Sequence, residues 1–107
     1  MTNDTNDAGA AALEDVSVRD DGFALRVRVL NDQGLHARPA ARLAQEAQKF
    51  PCDISLVLGE EVVDAKSILD ILTLAAGNGT ELELRASGPQ ARDALAHLGT
   101  LIRNRFR

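Results

Sequence analysis

The chain predicts a single α+β domain in which one sheet is covered on one side by helices. Three observations carry this. Four short segments alternate apolar and polar residues with period two, and three longer ones repeat apolar residues at helical spacing. Each of these elements is apolar on one face only, so the economical arrangement joins the strands in one sheet and lays the helices over a single face. At 107 residues there is length for one domain with a modest core.

The order of elements is β-α-β-β-α-β-α. Residues 1–21 are rich in Asp, Asn, Thr, Ala and Gly without a sustained period, and read as an acidic, disordered N-terminal tail with at most a helical turn at Ala10–Leu13. The ordered domain is expected over residues 22–107. Phe23, Leu25, Val27 and Val29 alternate with Ala24, Arg26 and Arg28, giving the first strand. A loop at 31–34 leads into a helix with Ala40, Leu43, Ala44 and Ala47 on one face, expected to reach about Lys49 and to stop before Pro51. Ile54, Leu56 and Leu58 make the second strand, and Gly59-Glu60 turns the chain into a short third strand at 61–65, as a hairpin. Ser67 opens a second helix with Ile68, Ile71, Leu72 and Ala75 on one face, closed by the glycines of Gly77-Asn78-Gly79. Leu82, Leu84 and Ala86 mark the fourth strand. After Gly88-Pro89 comes a last helix with the stripe Ala91, Ala94, Leu95, Leu98, Leu101 and Ile102.

Composition excludes several function classes. Six acids in residues 1–21 against Arg19 alone leave that segment at −5, and the other 86 residues at +1, of a total of −4. With three Phe and neither Trp nor Tyr, the chain lacks the basic and aromatic surface of a nucleic-acid binder. No apolar run approaches the roughly 20 residues that span a membrane, and the N-terminus lacks the basic and apolar regions of a signal peptide. The lone Cys52 cannot form an internal disulfide, which fits a cytoplasmic protein, and it is expected in the core rather than as a reactive thiolate. His97 falls off the stripe of the last helix and is expected to be solvated. Two separated histidines and one cysteine do not make a metal site, and no cofactor is implied.

Chemistry concentrates at Gly34-Leu35-His36-Ala37-Arg38-Pro39. Pro39 belongs to a first helical turn, where a fixed φ and a missing N–H cost little. His36 then sits where unpaired amides and the positive end of the helix dipole converge, a site suited to an anion. Imidazole titrates near neutrality and can act as a nucleophile, so this placement suggests reversible covalent capture of a phosphoryl group. Arg38, with the amides of Ala37 and Arg38, would hold the phosphoryl oxygens, and Gly34 would let the backbone turn sharply. For an arbitrary His-x-Arg-Pro, a capping histidine beside a solvated arginine is the commoner reading.

The surrounding residues change that balance. Asn31-x-x-Gly-Leu-His-Ala-Arg-Pro-Ala resembles the active-site signature of the HPr family, the histidine-containing phosphocarriers of the bacterial phosphoenolpyruvate-dependent phosphotransferase system. Lys66-Ser67-Ile68-Leu69, Gly79-Thr80-Glu81-Leu82 and Ala86-Ser87-Gly88 resemble the family's second helix, last strand and following turn, so the likeness spans about residues 22–105. It implies an open-faced β-sandwich, with one four-stranded antiparallel sheet covered on one face by three helices. It also implies a carrier rather than an enzyme. His36 would be phosphorylated on Nδ1 by phospho-Enzyme I and would donate to enzyme IIA proteins. Ile68 and Leu69 would form an apolar docking rim, with Arg38, Arg42 and Lys66 steering acidic partners. A monomer without nucleic-acid or membrane partners is expected.

Ser67 matches a serine that, in some members, HPr kinase/phosphorylase modifies. Such a phosphate would add about −1.5 to −2 charges beside the rim. Ser67-x-x-Asp70 is equally a capping box with no regulatory purpose, and Asp70 stands where kinase-regulated members usually have a small residue. Two further readings stay open. Ala86-Ser87-Gly88-Pro89-Gln90 and the ending Arg103-Asn104-Arg105-Phe106 resemble the nitrogen-related branch of the carriers, often called NPr, whereas Lys66-Ser67-Ile68 favours the sugar branch. A regulator that acts by docking alone is a separate class, whose members typically lose the histidine.

Overall fold

The computed structural model describes residues 15–106, and the first fourteen residues of the tail expected over residues 1–21 lie outside them. The chain runs β1 (Ser17–Arg19), β2 (Gly22–Arg28), α1 (Ala37–Ala47), β3 (Asp53–Leu58), β4 (Glu61–Asp64), α2 (Ile68–Thr73), β5 (Glu81–Ser87) and α3 (Ala91–Arg103). The strands form one antiparallel sheet in the order β1-β2-β5-β3-β4. α3 lies across β2 and β5, and α1 packs against α2 and α3.

Register explains the single core. Leu25 pairs with Leu84, which pairs on its other side with Leu56, and Val27 pairs with Leu82. These side chains share one face and are buried, together with Ala40, Leu43, Ala44 and Ala47 of α1 and the full expected stripe of α3. Arg26, Glu83 and Arg85 point to the uncovered face, as period-two alternation requires. Cys52 is buried in the core as expected, and burial pushes its thiol pKa up.

Four expectations need correction. The sheet has five strands, not four. The extra strand, β1, comes from the end of the segment read as tail, and all three of its residues are exposed, so it carries no alternating signal. Three things hold it: its ladder to β2, the Ser17 hydroxyl donating to the Ala24 carbonyl, and buried Val16 just before it. Helix α1 ends at Ala47 rather than Lys49. Tighter i→i+3 bonds, Lys49 N–H to Glu46 O and Phe50 N–H to Ala47 O, finish it because Pro51 disfavours helical backbone at Phe50.

Helix α2 buries only Ile71, leaving Ile68, Leu72 and Ala75 exposed. It is six residues long and lies at the rim of the core, so one residue is enough to anchor it. Its closing turn uses Ala75 (φ 51°) in the left-handed region rather than a glycine. The turn tucks the flanking Leu74 and Ala76 inward, and their burial offsets the strain that a side chain meets there.

Candidate functional site

The backbone before α1 is zipped to the segment after α2. Val29 N–H donates to Thr80 O (2.9 Å), Gly79 N–H to Val29 O (2.7 Å), Leu35 N–H to Ala76 O (2.9 Å) and the Asn78 side-chain amide to Asn31 O (3.1 Å). Gly34, at φ 70°, passes so close to this strap that a Cβ would lie 2.2 Å from Ala76 O, so only glycine fits. Leu35 is buried, and the next residue is therefore turned outward: His36 is exposed.

His36 occupies the N-cap of α1 in extended conformation (φ −79°, ψ −170°), and its side chain makes no capping hydrogen bond. Its carbonyl accepts the first helical bond, from Ala40 N–H at 2.9 Å. The amides of Ala37 and Arg38 therefore have no intrahelical acceptor, while Pro39, third in the helix, has no N–H to leave unsatisfied. The histidine is thus not a cap. It is a solvent-facing imidazole beside two orphan amides.

His36, Arg38, Pro39, Arg42, Asn31 and Arg105 line one open hollow of about 480 Å³, together with Phe106. Arg38 has no ion-pair partner among the described residues, whereas Arg42 Nε lies 3.6 Å from Glu46 on its own helix. Asn31 Oδ1 is buried without a partner among the described residues, and Asn31 Nδ2 donates to Arg105 O at 3.4 Å. Arg105 and Phe106, some 70 positions after His36, were not expected here. Nothing in a periodic reading foretells that the end of the last helix returns to the start of the first.

The remaining candidates lie on or just before neighbouring α2. Ser67 caps that helix by accepting Asp70 N–H at 3.2 Å, as the capping-box pattern predicts. Lys66 Nζ donates to Phe50 O at 2.8 Å and its carbonyl accepts from Gln48 Nε2, which ties this corner to the end of α1. Leu69 is 75% exposed, Ile68 40% and Leu72 37%, forming an apolar ridge.

His97 is exposed, as expected, and adds a contact that its place off the stripe does not announce. Its Nε2 lies 2.7 Å from Glu46 Oε1, and its ring tilts against Phe50 at 5.6 Å. A carboxylate only accepts, so Nε2 carries the hydrogen. Glu46 also meets Lys49 at 2.9 Å. The His97 hydrogen bond and then that of Lys49 hold the Glu46 carboxyl at about 2, against the opposing effect of burial. Among the described residues no cluster of His, Cys, Asp or Glu is placed to hold a metal ion, and no helix is long and apolar enough to cross a membrane.

A helix-covered open sheet here presents an uncapped imidazole beside two free amides and a guanidinium, an arrangement suited to holding a phosphoryl group. The family model described as the PTS HPr component phosphorylation site matches residues 24–104. The phosphocarrier protein HPr of Treponema pallidum is 48% identical over 80 residues, covering 75% of this chain and 91% of that protein. Among solved structures, an HPr from Thermoanaerobacter tengcongensis superposes with a TM-score of 0.75 at 36% identity, covering 78% of this chain and 93% of that one. Crh of Bacillus subtilis, described as a catabolite-repression protein in a domain-swapped dimer, superposes at 0.64 with 40% identity, covering 73% and 90%. The chain belongs to the HPr family of phosphocarriers.

Proposed function

We propose that His36 is the residue that carries the phosphoryl group, received from phospho-Enzyme I and passed to enzyme IIA proteins of the sugar phosphotransferase system in the cytoplasm. The observation that carries this is the exposed N-cap imidazole, free of any capping bond, beside Arg38 and two amides without helical acceptors. In the transfer, the lone pair of Nδ1 forms an N–P bond while the donor's bond to phosphorus breaks and its electron pair leaves with the donor. The proton on Nε2 stays in place. Arg38 and the amides of Ala37 and Arg38 hold the oxygens, so the protein contributes position and charge rather than covalent machinery. The same geometry serves the reverse step, which is what a carrier requires.

The exposed Ile68-Leu69-Leu72 ridge supports a docking role for α2, with Arg38, Arg42 and Lys66 supplying positive charge for acidic partners. Regulation through Ser67 by HPr kinase/phosphorylase would act on that ridge, by adding charge where apolar contact is needed. The protein would act as a monomer, exposing site and ridge together. Incubation with Enzyme I and phosphoenolpyruvate should add one phosphate, stable in base and lost in acid, and His36→Ala should abolish it while leaving the circular-dichroism spectrum unchanged. Full labelling of that variant would refute the assignment.

A further inference from the structure

We propose that Arg105, from the far end of the chain, is a phosphoryl-binding residue of the His36 site, alongside Arg38. This rests on the carrier reading of His36 and adds a residue to it. Arg105 lines the same hollow as His36, Arg38 and Arg42. Of the arginines among the described residues, all but Arg26, Arg38 and Arg105 meet a carboxylate or, for Arg92, the Phe23 ring. Two of the four guanidinium groups with no carboxylate partner among the described residues therefore border the hollow that holds the exposed imidazole. Positive charge left unneutralised in one place favours an anion there.

The backbone keeps Arg105 in that place at a cost. Arg105 and Phe106 have φ values of 58° and 64°, successive left-handed residues in positions where glycine would be unstrained. Four contacts hold the turn. Arg105 N–H donates to Ile102 O and Phe106 N–H to Leu101 O, the Asn31 side-chain amide donates to the Arg105 carbonyl, and the Phe106 ring packs on the core. Asn31 belongs to the loop that delivers His36, so the tether fixes the turn relative to the imidazole rather than to solvent. A strained, over-determined turn that carries an unpaired cation beside a nucleophile is the pattern of a built functional position.

The test compares phosphoryl affinity, not rate. Equal amounts of wild type and Arg105→Gly are mixed with catalytic Enzyme I and limiting phosphoenolpyruvate until the phosphoryl group is shared at equilibrium, and intact mass spectrometry reads each protein's phosphorylated fraction. Glycine relieves the left-handed strain, so the variant keeps its fold. A change in docking to Enzyme I would alter how fast equilibrium is reached but not the final partition. We expect wild type to hold about two- to fivefold more phosphoryl group, the range of a partly exposed ion pair. Arg105→Lys should restore most of the bias, and added salt should erode it. Equal partition between wild type and Arg105→Gly would overturn the proposal while leaving His36 as the carrier. A wild type that takes no label on His36 would overturn the carrier reading and this one with it.

Discussion

Replacing Glu46 by Gln isolates the charge of the carboxylate that joins α1 to α3. Gln keeps the size of the side chain and can still accept from His97 Nε2 at 2.7 Å, so what is lost is attraction to the charges of Lys49 and Arg42, at 2.9 and 3.6 Å. Holding the carboxyl at about 2 instead of 4.5 sets a ceiling of about 3 kcal/mol on the stabilisation. All three partners are about half-exposed or more, so screening reduces the expected loss to about 1–2 kcal/mol at pH 7. The folded-state value is lowered, so this contribution is complete above the unfolded value of 4.5 and fades as pH falls through it towards about 2. The assay is urea unfolding followed by far-ultraviolet circular dichroism, since the chain has no Trp or Tyr to report by fluorescence. With a urea slope of about 1 kcal/mol/M, the midpoint should drop by about 1–2 M at pH 7, and the gap should shrink at pH 2–3. Equal midpoints at pH 7, or a gap undiminished at pH 2, would refute the reasoning.

Three other substitutions test the scaffold of the site and its docking ridge. Gly34→Ala forces a side chain into a left-handed position with its Cβ 2.2 Å from Ala76 O, so the strap must part. A loss of at least about 2 kcal/mol is expected, read as a fall in Tm of about 10 °C, and an unchanged Tm would contradict the contact. Ser67→Ala removes the acceptor of Asp70 N–H and should cost about 1 kcal/mol, with faster amide exchange confined to α2. Ser67→Asp keeps a cap yet places a negative charge before Ile68 and Leu69. Its stability should stay near wild type while phosphoryl transfer to an acidic partner slows, and equal rates would detach Ser67 from the docking ridge.

Much of this protein was written in local pattern. The stripes of α1 and α3 came out as alternation and helical spacing require, because a face apolar at the right period has only the core to go to. His36 and Arg38 were legible because a helix start, a proline and a glycine are adjacent in sequence. Features set by distant neighbours were not legible. Strand β1 is exposed on every residue and exists because β2 offers it an edge. α2 exposes Ile68 and Leu72 because it lies at the rim of the core, a fact its own six residues do not encode. The bond from His97 to Glu46 is invisible in spacing because the two lie 51 positions apart, and Arg105 joins the His36 hollow only once α3 has crossed the sheet. Spacing along a chain determines which face an element hides. Which strangers meet across the folded core is decided by packing, since those contacts gain their free energy only when the whole sheet and its helices close together.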